Sequence, residues 1–296
     1  MGAFKKLQLE LQLQRERPQV EGLEAIAEIV GGTVDGVFVR IQTDKIDAAV
    51  KFDLSNVADF FIYAVNAGTR RQVQAYIRSR LKDAELDLDA QDAQRREKNA
   101  ERAQQIWNEA LPATGTLVES YLRHRGIIIP IPDALRFHPK VWNQEKKERY
   151  PAMIAYRTGP NGGFGGIHRT WLSGNGRDKL HVHAPRKDLA SIVGSTIRLA
   201  PVSEELAVGE GIETALSCPQ LCDGLPAWAA GSAYTLEHAV LPPEVRKVSL
   251  LEDQDIDGMY ACREARFRFN QEGRAVRIIR PSIGNDLNDE VMSHGR

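Results

Sequence analysis

The chain has 296 residues, of which 42% are hydrophobic and 27% charged, an ordinary composition for a globular protein with more than one core. Its formal net charge of −1 means that any attraction to nucleic acid or to a membrane surface has to be local. No apolar run approaches the roughly 18 residues of a membrane-spanning helix, and the first residues lack the apolar segment of a signal peptide. We therefore expect a cytoplasmic protein. The three cysteines (Cys218, Cys222 and Cys262) form no even disulfide framework, and we expect reduced, buried thiols and no zinc.

The first segment, residues 1–85, is predicted to be a small α+β module of unknown role. Its patterns predict a strand, a helix, a hairpin and two further helices, at residues 7–13, 21–30, 33–43, 55–67 and 69–82. Residues 86–110 are rich in charged residues and alanine, which favours a solvated connecting helix rather than a core element. No catalytic set is recognisable in either segment.

Residues 111–201 are predicted to form a second region, with a helix ending at Gly126 and then a largely antiparallel set of strands. The apolar runs predict strands at residues 153–156, 165–171 and 197–200. Basic residues and histidines cluster here, and on strands they could share one face with Trp171; they are His168, Arg169, Arg177, Lys179, His181, His183, Arg186 and Lys187. Taken alone, such a cluster is better explained as a solvated sheet face. His181 and His183 could instead be a metal pair, although no third ligand follows at a usable spacing.

From residue 202 onwards, short apolar runs alternate with helical patterns, which predicts an α/β domain with a parallel sheet. Acidic residues follow two of the predicted strands: Glu210-Gly211-Ile212-Glu213 comes after the first, and Asp253-Gln254-Asp255-Ile256-Asp257-Gly258 comes after a later one. A third acidic cluster, with Asp286 and Asp289, lies close to the C-terminus. Because the carboxyl ends of parallel strands share one edge of a sheet, these carboxylates are expected to gather there.

Two interpretations of these acids are open. Crowded carboxylates repel one another unless a cation lies among them, and Mg²⁺ prefers hard oxygen ligands near phosphate. Aspartate and glutamate are also favoured at helix N-termini, so the same residues could simply cap helices. The presence of two acidic strand ends at βαβ spacing favours the metal site. Beside such a site, the basic cluster is better explained as contacts to nucleotide phosphates or to a nucleic-acid backbone.

These motifs resemble the TOPRIM domain shared by DnaG-type bacterial primases, topoisomerases, RecR proteins and OLD-type nucleases. The residues 210–216 (EGIETAL) and 285–289 (NDLND) are closer still to the TOPRIM primases of phages, plasmids and integrated mobile elements. Upstream, residues 120–127 (SYLRHRGI) resemble the segment that opens the primase polymerase domain, and residues 135–139 (LRFHP) and 166–172 (GIHRTWL) resemble words of the mobile-element group. The resemblance covers about residues 105–292.

The resemblance implies a role for each matching residue. Glu210, Asp253 and Asp255 would be the catalytic, metal-binding acids, with Asp286 and Asp289 as second-site or supporting carboxylates. Gly211, Glu213, Asp257 and Gly258 would support them. Nucleotide or nucleic acid would be bound by Arg125, His168, Arg169, Arg177, Lys179, Arg186 and Lys187. The implied cofactor is Mg²⁺ or Mn²⁺.

The implied function is that of a primase-like nucleotidyltransferase, which joins NTPs on a single-stranded DNA template and could act with a replicative helicase or another replication protein. One departure from the family is that residues 1–85 contain no cysteine, whereas these primases usually carry an N-terminal zinc module. Two alternatives stay open: a metal-dependent nuclease using the same acids, and a catalytically silent nucleic-acid-binding or partner-binding protein of a mobile element.

Overall fold

The computed structural model describes residues 24, 26–35, 38–53, 56–67, 69–83 and 88–294. The chain divides into two compact units, Met1–Glu97 and Lys98–Arg296. In the part of the chain that is described, no helix is both long enough and apolar enough to cross a membrane. The strand predicted at residues 7–13 lies outside the described residues.

The first unit contains a four-stranded antiparallel sheet in the order β1-β2-β3-β4, formed by Gly32–Asp35, Phe38–Gln42, Asp47–Asp53 and Asn56–Ala67. Residues 26–30 are helical, and helix α1 spans Arg70–Asp83. The core of this unit is aliphatic, with Ile41 and Val50 of the sheet packed with Val73 and Ile77 of α1. The α+β character, the hairpin of β1 and β2 and the helix after residue 69 agree with the sequence prediction.

The helix predicted at residues 55–67 is wrong, because that segment forms strand β4 and pairs antiparallel with β3. The segment reads NVADFFIYAVNA, and β-branched and aromatic residues of this kind favour strands. β4 is an edge strand of the sheet, and pairing with β3 engages the backbone groups on one side of it, with register shifts along the ladder. The tertiary partner therefore decided the conformation of a segment whose local pattern was ambiguous.

Helix α2, Leu88–Glu109, was predicted as a solvated connection, and this is wrong for its last turns. Ala103 is fully buried there, and Ile106 and Trp107 pack in the same hydrophobic cluster as Ile154 of the antiparallel sheet. The guanidinium of Arg136 lies 4.1 Å from the centroid of the Trp107 ring. The end of α2 is thus part of the core of the second unit.

The second unit begins with a five-stranded antiparallel sheet in the order β5-β6-β7-β8-β9, formed by Leu111–Pro112, Leu135–Asn143, Glu148–Thr158, Phe164–Trp171 and Arg186–Leu189. Helix α3, Leu117–His124, precedes β6 and is capped by the Thr116 side chain. The predicted antiparallel arrangement is confirmed. The strand predicted at residues 197–200 is reduced to an isolated bridge between Ile197 and Ala229.

A four-stranded parallel sheet completes the unit in the order β11-β10-β12-β13, with β10 at Glu205–Gly209, β11 at Ala227–Ala229, β12 at Lys247–Leu251 and β13 at Ala275–Ile279. Its helices are α4 to α7, at Ile212–Leu221, Ala233–His238, Ile256–Gln271 and Leu287–His294. The α/β class predicted for residues 202–296 is confirmed.

The parallel sheet is covered on both faces, so its strands are almost wholly apolar. Leu206 and Val208 point into a cluster that includes Phe269 of α6. Ala207, between them, points to the opposite face, into a cluster that also contains Tyr121 of α3. That second cluster joins the two sheets of the unit, and it fixes where the carboxyl ends of the parallel strands lie.

Candidate functional site

The last residues of the four parallel strands are in register at one edge of the sheet. Gly209 of β10 pairs with Ala229 of β11 and with Leu251 of β12, and Leu251 pairs with Ile279 of β13. Glu210 therefore leaves the sheet beside the segment that carries Asp253. Glu252, which separates Leu251 from Asp253 in the chain, is buried and paired with Arg280. The sheet thus brings Glu210 and Asp253 to the same edge, as the sequence predicted.

Asp253 is the most strongly perturbed carboxylate of this edge. It is half-buried, and its Oδ1 atom is buried without a hydrogen-bond partner. Burial raises the pKa of Asp253, and the nearby carboxylates of Asp286, Glu210 and Asp255 raise it further, to about 7. An unpartnered buried oxygen surrounded by like charges is unfavourable in itself and suits a bound cation.

Glu210 belongs to the same electrostatic cluster. Burial raises the pKa of its carboxyl group; the charge of Arg186 opposes this rise, while Asp255 and Asp257 add to it. Arg186 also lowers the pKa of Asp253. Gly211 follows as the N-cap residue of α4 and makes no side-chain cap, so the turn after Glu210 is closed by backbone alone.

Asp255 fits both interpretations of the acidic segment. It is the N-cap residue of α6, and its Oδ1 atom accepts a hydrogen bond from the Gly258 N–H at 2.8 Å. Its side chain is nevertheless exposed, and its charge raises the pKa of both Glu210 and Asp253. The charge of Asp257 also raises the pKa of Glu210. Gly258 is needed for the turn, because a Cβ atom there would lie 2.6 Å from the Asp253 carbonyl oxygen. Capping and participation in the acidic edge are therefore compatible.

The third acidic cluster divides into two roles. Asp286 has the strongest effect on Asp253 among the neighbouring charges, and its Oδ1 atom accepts the Asp289 N–H at 2.9 Å. Asp289 instead accepts the Asn285 N–H at 2.9 Å and closes the turn before α7. The Gln254 N–H donates to the Asn285 carbonyl at 2.8 Å, which holds this turn against the Asp253 segment. Asp286 thus belongs to the acidic edge, and Asp289 shapes the turn that presents it.

The donor set of the acidic edge fits a divalent cation. It consists of carboxylate oxygens, one of them unpartnered and buried, and such hard ligands suit Mg²⁺ or Mn²⁺. Within the described ranges, no group of three or more His, Cys, Asp or Glu side chains is already arranged at ligand spacing. The charges of these acids interact with one another, but binding of an ion would require their side chains to turn towards one another.

Glu213 lies in the first turn of α4 and is buried, with 4% of its surface exposed. It accepts a short hydrogen bond from the Tyr121 hydroxyl, and its Oε1 atom lies 3.0 Å from Lys179 Nζ. Burial opposes the charge of Glu213, but Lys179 and Tyr121 hold the pKa of its carboxyl group at about 2. Lys179, predicted to bind nucleic acid, is therefore engaged in a buried ion pair that supports the start of α4.

The predicted single basic face on strand β8 is wrong. His168 and Arg169 are consecutive on a strand, so their side chains point to opposite faces, and both are buried. Arg169 donates to the carbonyl oxygens of Lys187 and Asp188, and its guanidinium lies 5.1 Å from the Trp171 ring centroid. Burial lowers the pKa of Arg169 to about 10. Arg169 therefore shares a face with Trp171 and holds β9 in place.

Of the other basic residues, Arg125, Lys179 and His181 line a cleft of about 580 Å³, together with Tyr121. The Nε atom of Arg125 is buried without a hydrogen-bond partner. Arg177, Arg186 and Lys187 are exposed, as are His181 and His183. The His183 N–H donates to the Glu145 carboxylate at 3.0 Å, and no metal-ligand group includes either histidine among the residues that the structure describes.

No motif in the sequence predicted the buried polar network that lies behind Glu210. Arg157 of β7 is fully buried, and its Nη1 atom lies 3.4 Å from Asp188 Oδ1. The same Asp188 oxygen lies 2.7 Å from His168 Nδ1. Arg157 follows an apolar run and Asp188 follows two basic residues, so the flanking residues do not indicate a buried charged pair. A charged residue at the end of a fully apolar strand pattern was the only available signal.

The raised pKa of Asp253 predicts a stability effect in the metal-free protein. Between the ordinary pKa of an aspartate and about 7, the folded state binds more protons than the unfolded state, so stability falls as pH rises through that window. Asp253→Asn removes this loss. We expect the variant to be about 1 kcal/mol more stable than the wild type at pH 8, because solvent screens part of the repulsion around the partly exposed Asp253. The stability difference should be smaller at pH 5.

Urea unfolding in the presence of EDTA measures this difference. All four tryptophans (Trp107, Trp142, Trp171 and Trp228) belong to the second unit, so their fluorescence reports on that unit alone. The exposed Asp133, changed to Asn, is the matched control and should leave stability unchanged. Destabilisation by Asp253→Asn at pH 8 would contradict the crowding of like charges around Asp253.

Comparison with known proteins supplies two family matches. A domain of unknown function, DUF7146, matches residues 97–199, and the Toprim domain matches residues 205–296. Among curated proteins, none matches the chain.

Solved structures similar to this chain include three primases, all at low identity. The Aquifex aeolicus primase (zinc-binding and RNA polymerase domains) is 13% identical with a TM-score of 0.47, over 95% of this chain and 82% of that one. The Escherichia coli primase catalytic core is 16% identical with a TM-score of 0.41, over 68% and 75%. The primase fragment of the bacteriophage T7 primase-helicase is 15% identical with a TM-score of 0.38, over 63% and 69%. The family match, together with the parallel sheet and its acidic edge, identifies residues 205–296 of this chain as a Toprim domain.

Proposed function

We propose that the chain is a primase-like nucleotidyltransferase, which makes short oligonucleotides from NTPs on single-stranded DNA with Mg²⁺ or Mn²⁺. The observation that carries the proposal is the acidic edge of the Toprim domain, where Asp253 has an unpartnered buried oxygen and the carboxylates of Asp286 and Glu210 act on it electrostatically. Residues 120–127 resemble the segment that opens the primase polymerase domain, and residues 285–289 resemble mobile-element primases; both resemblances favour synthesis over cleavage. The proposed setting is the cytoplasm, in the replication of a phage, plasmid or integrated element.

In this proposal Glu210, Asp253 and Asp255 hold the divalent ions, and Asp286 completes the set. When bound, such ions lower the pKa of an attacking hydroxyl and neutralise charge on the transferred phosphoryl group. The chain itself supplies positioning. The ends of β10 and β12 fix Glu210 and Asp253, the α6 cap fixes Asp255, and the turn closed by Asp289 presents Asp286.

Binding of NTPs and template would fall to the cations beside the acidic edge. Arg186 is exposed and acts electrostatically on both Glu210 and Asp253, so it is near enough to neutralise a phosphate bound there. Arg125 would contribute from the cleft, with its unpartnered Nε donor. A replicative helicase or another replication protein would deliver the template.

A primer-synthesis assay tests the proposal directly. The full chain is incubated with radiolabelled NTPs, single-stranded DNA of varied sequence, and Mg²⁺ or Mn²⁺. We expect labelled oligonucleotides that require the single strand and disappear with EDTA. No product over varied templates from folded protein would overturn the proposal. Degradation of labelled DNA under the same conditions would indicate a nuclease, and DNA binding without either reaction would indicate a silent binding protein.

Arg186 and Lys187 form a matched pair for the nucleotide-binding part of the proposal. They are adjacent on β9, both exposed, and their side chains point to opposite faces of the sheet. We expect Arg186→Ala to raise the KM for NTP by roughly tenfold, as loss of one charge-assisted phosphate contact would. Lys187→Ala should change it less than twofold. Equal effects of the two variants would contradict the assignment of Arg186 to the site.

A further inference from the structure

The main chain that follows β11 is hydrogen-bonded to the residues that lead into the acidic edge. The Ala230 N–H donates to the Gly209 carbonyl at 2.8 Å, and the Gly231 N–H donates to the Glu210 carbonyl at 2.8 Å. Gly231 has a φ of +95°, a backbone conformation that favours glycine. The position of Glu210 is therefore tied to a single turn, Ala230-Gly231.

The other side of that turn rests on buried charged and polar groups. A Cβ atom added to Gly231 would lie 2.4 Å from Arg157 Nη1 and 3.3 Å from His168 Nδ1. The guanidinium and the imidazole thus pack against the Gly231 main chain, with no room for a methyl group. The close approach and the positive φ angle therefore both favour glycine at position 231.

Arg157 itself is held rigidly. Its Nε atom donates to Ser195 Oγ at 3.0 Å and its Nη2 atom to the Ser195 carbonyl at 2.9 Å. Its Nη1 atom lies 3.4 Å from Asp188, which is also bonded to His168. A fully buried arginine is costly unless its donors are engaged, and here Nε, Nη1 and Nη2 all have partners. These bonds fix the guanidinium against the Gly231 main chain.

We infer that Arg157, together with Asp188 and His168, is a positioning residue for Glu210, acting through the Ala230-Gly231 turn. None of the three needs to touch substrate for this role. A carboxylate that binds a metal has to be held to within about 0.5 Å, and groups behind the ligands commonly supply that precision. The inference rests on the proposed function for its consequence in catalysis, but the positioning itself is a property of the protein alone.

Hydrogen exchange and Mn²⁺ binding test the inference with the full chain. In Arg157→Met we expect the residue 231 amide to exchange at least tenfold faster, because its support is gone. We expect the dissociation constant for Mn²⁺, measured by isothermal titration calorimetry, to rise roughly tenfold or more, as loss of an outer-shell partner does. Asp188→Asn keeps an oxygen that can accept from His168 and Arg157, and it should weaken Mn²⁺ binding less than Asp188→Ala.

The control is Arg136→Met. Arg136 is a partly buried arginine that donates to the Trp107 carbonyl and stacks on the Trp107 ring. Arg136→Met should lower the melting temperature without changing amide exchange at residue 231 or the dissociation constant for Mn²⁺. Unchanged amide exchange at residue 231 in folded Arg157→Met would overturn the inference. If Arg157→Met does not fold, Gly231→Ala decides, since it disturbs the same contact from the other side, and wild-type Mn²⁺ affinity in that variant would overturn the inference.

The two proposals fail in distinguishable ways. If the wild-type chain binds Mn²⁺ but makes no oligonucleotides, the proposed function fails and both readouts still apply. If the wild-type chain binds no Mn²⁺, the metal site of the proposed function fails, and amide exchange at residue 231 alone decides whether Arg157 positions Glu210.

Discussion

Oligonucleotide synthesis is expected to fall by roughly 1,000-fold in Asp253→Ala, the largest effect on activity of any single change in the chain. Asp253 combines an unpartnered buried oxygen with the closest crowding by other acids, so it is the residue best placed to bind an ion. Losing such a ligand removes several kcal/mol of charge stabilisation from phosphoryl transfer. The assay is incorporation of radiolabelled NTPs on single-stranded DNA, at saturating Mg²⁺.

Two further variants test the division of the third acidic cluster. Asp286 raises the pKa of Asp253, whereas Asp289 uses one carboxylate oxygen to accept a hydrogen bond from the Asn285 N–H. An asparagine at position 289 can still accept that bond, so Asp289→Asn should retain activity within a few-fold. Asp286→Asn should lose much more. Asp133→Ala, an exposed change elsewhere, is the control for preparation. Wild-type activity in Asp253→Ala would exclude the acidic edge as the catalytic site.

The acidic edge could be predicted from sequence because its geometry follows from chain connectivity. Carboxylates directly after buried strands of a parallel sheet lie at one edge whatever the details of packing. Glu210 and Asp253 needed nothing more. The distinction between Asp286 and Asp289 did need the structure, because it depends on which oxygen accepts which backbone N–H.

The basic cluster could not be assigned from sequence. Alternation along β8 separates His168 from Arg169, and both are buried by neighbouring elements that are distant in the chain. Lys179 is bound to a carboxylate 34 positions later, a pairing that no local pattern reveals. Composition identified a basic region correctly, but which cations face the site depends on tertiary contacts.

The fold shows the same division between local and tertiary information. Helix α4 follows a buried strand and a glycine, and this alternation of strand and helix was predicted from residue 202 onwards. Strand β4 was predicted as a helix because its apolar run lacks strict alternation, and its actual conformation depends on pairing with β3. Segments whose neighbours are fixed by connectivity were predictable, and those fixed by pairing across the chain were not.

Lys179→Met is expected to give the largest loss of stability, about 3–5 kcal/mol at pH 7, because it leaves the buried Glu213 carboxylate without its cationic partner. The cost should shrink as pH falls towards 4. Without Lys179 the burial of Glu213 raises its pKa, so the variant escapes the unpaired charge by protonation. Urea unfolding followed by tryptophan fluorescence measures the loss in the second unit.

The double variant Lys179→Met/Glu213→Gln separates the charge from the packing. Glutamine keeps an oxygen for the Tyr121 hydroxyl and leaves no charge to bury, so we expect it to recover most of the stability lost in Lys179→Met. In the wild type, the depressed pKa of Glu213 contributes stability that is present above about pH 4.5 and is lost as pH falls towards about 2. A loss below 1 kcal/mol in Lys179→Met would contradict the buried pair. Lys179 lines the cleft and Glu213 lies in the first turn of α4, close in sequence to Glu210, so the same pair connects the cleft to the acidic edge.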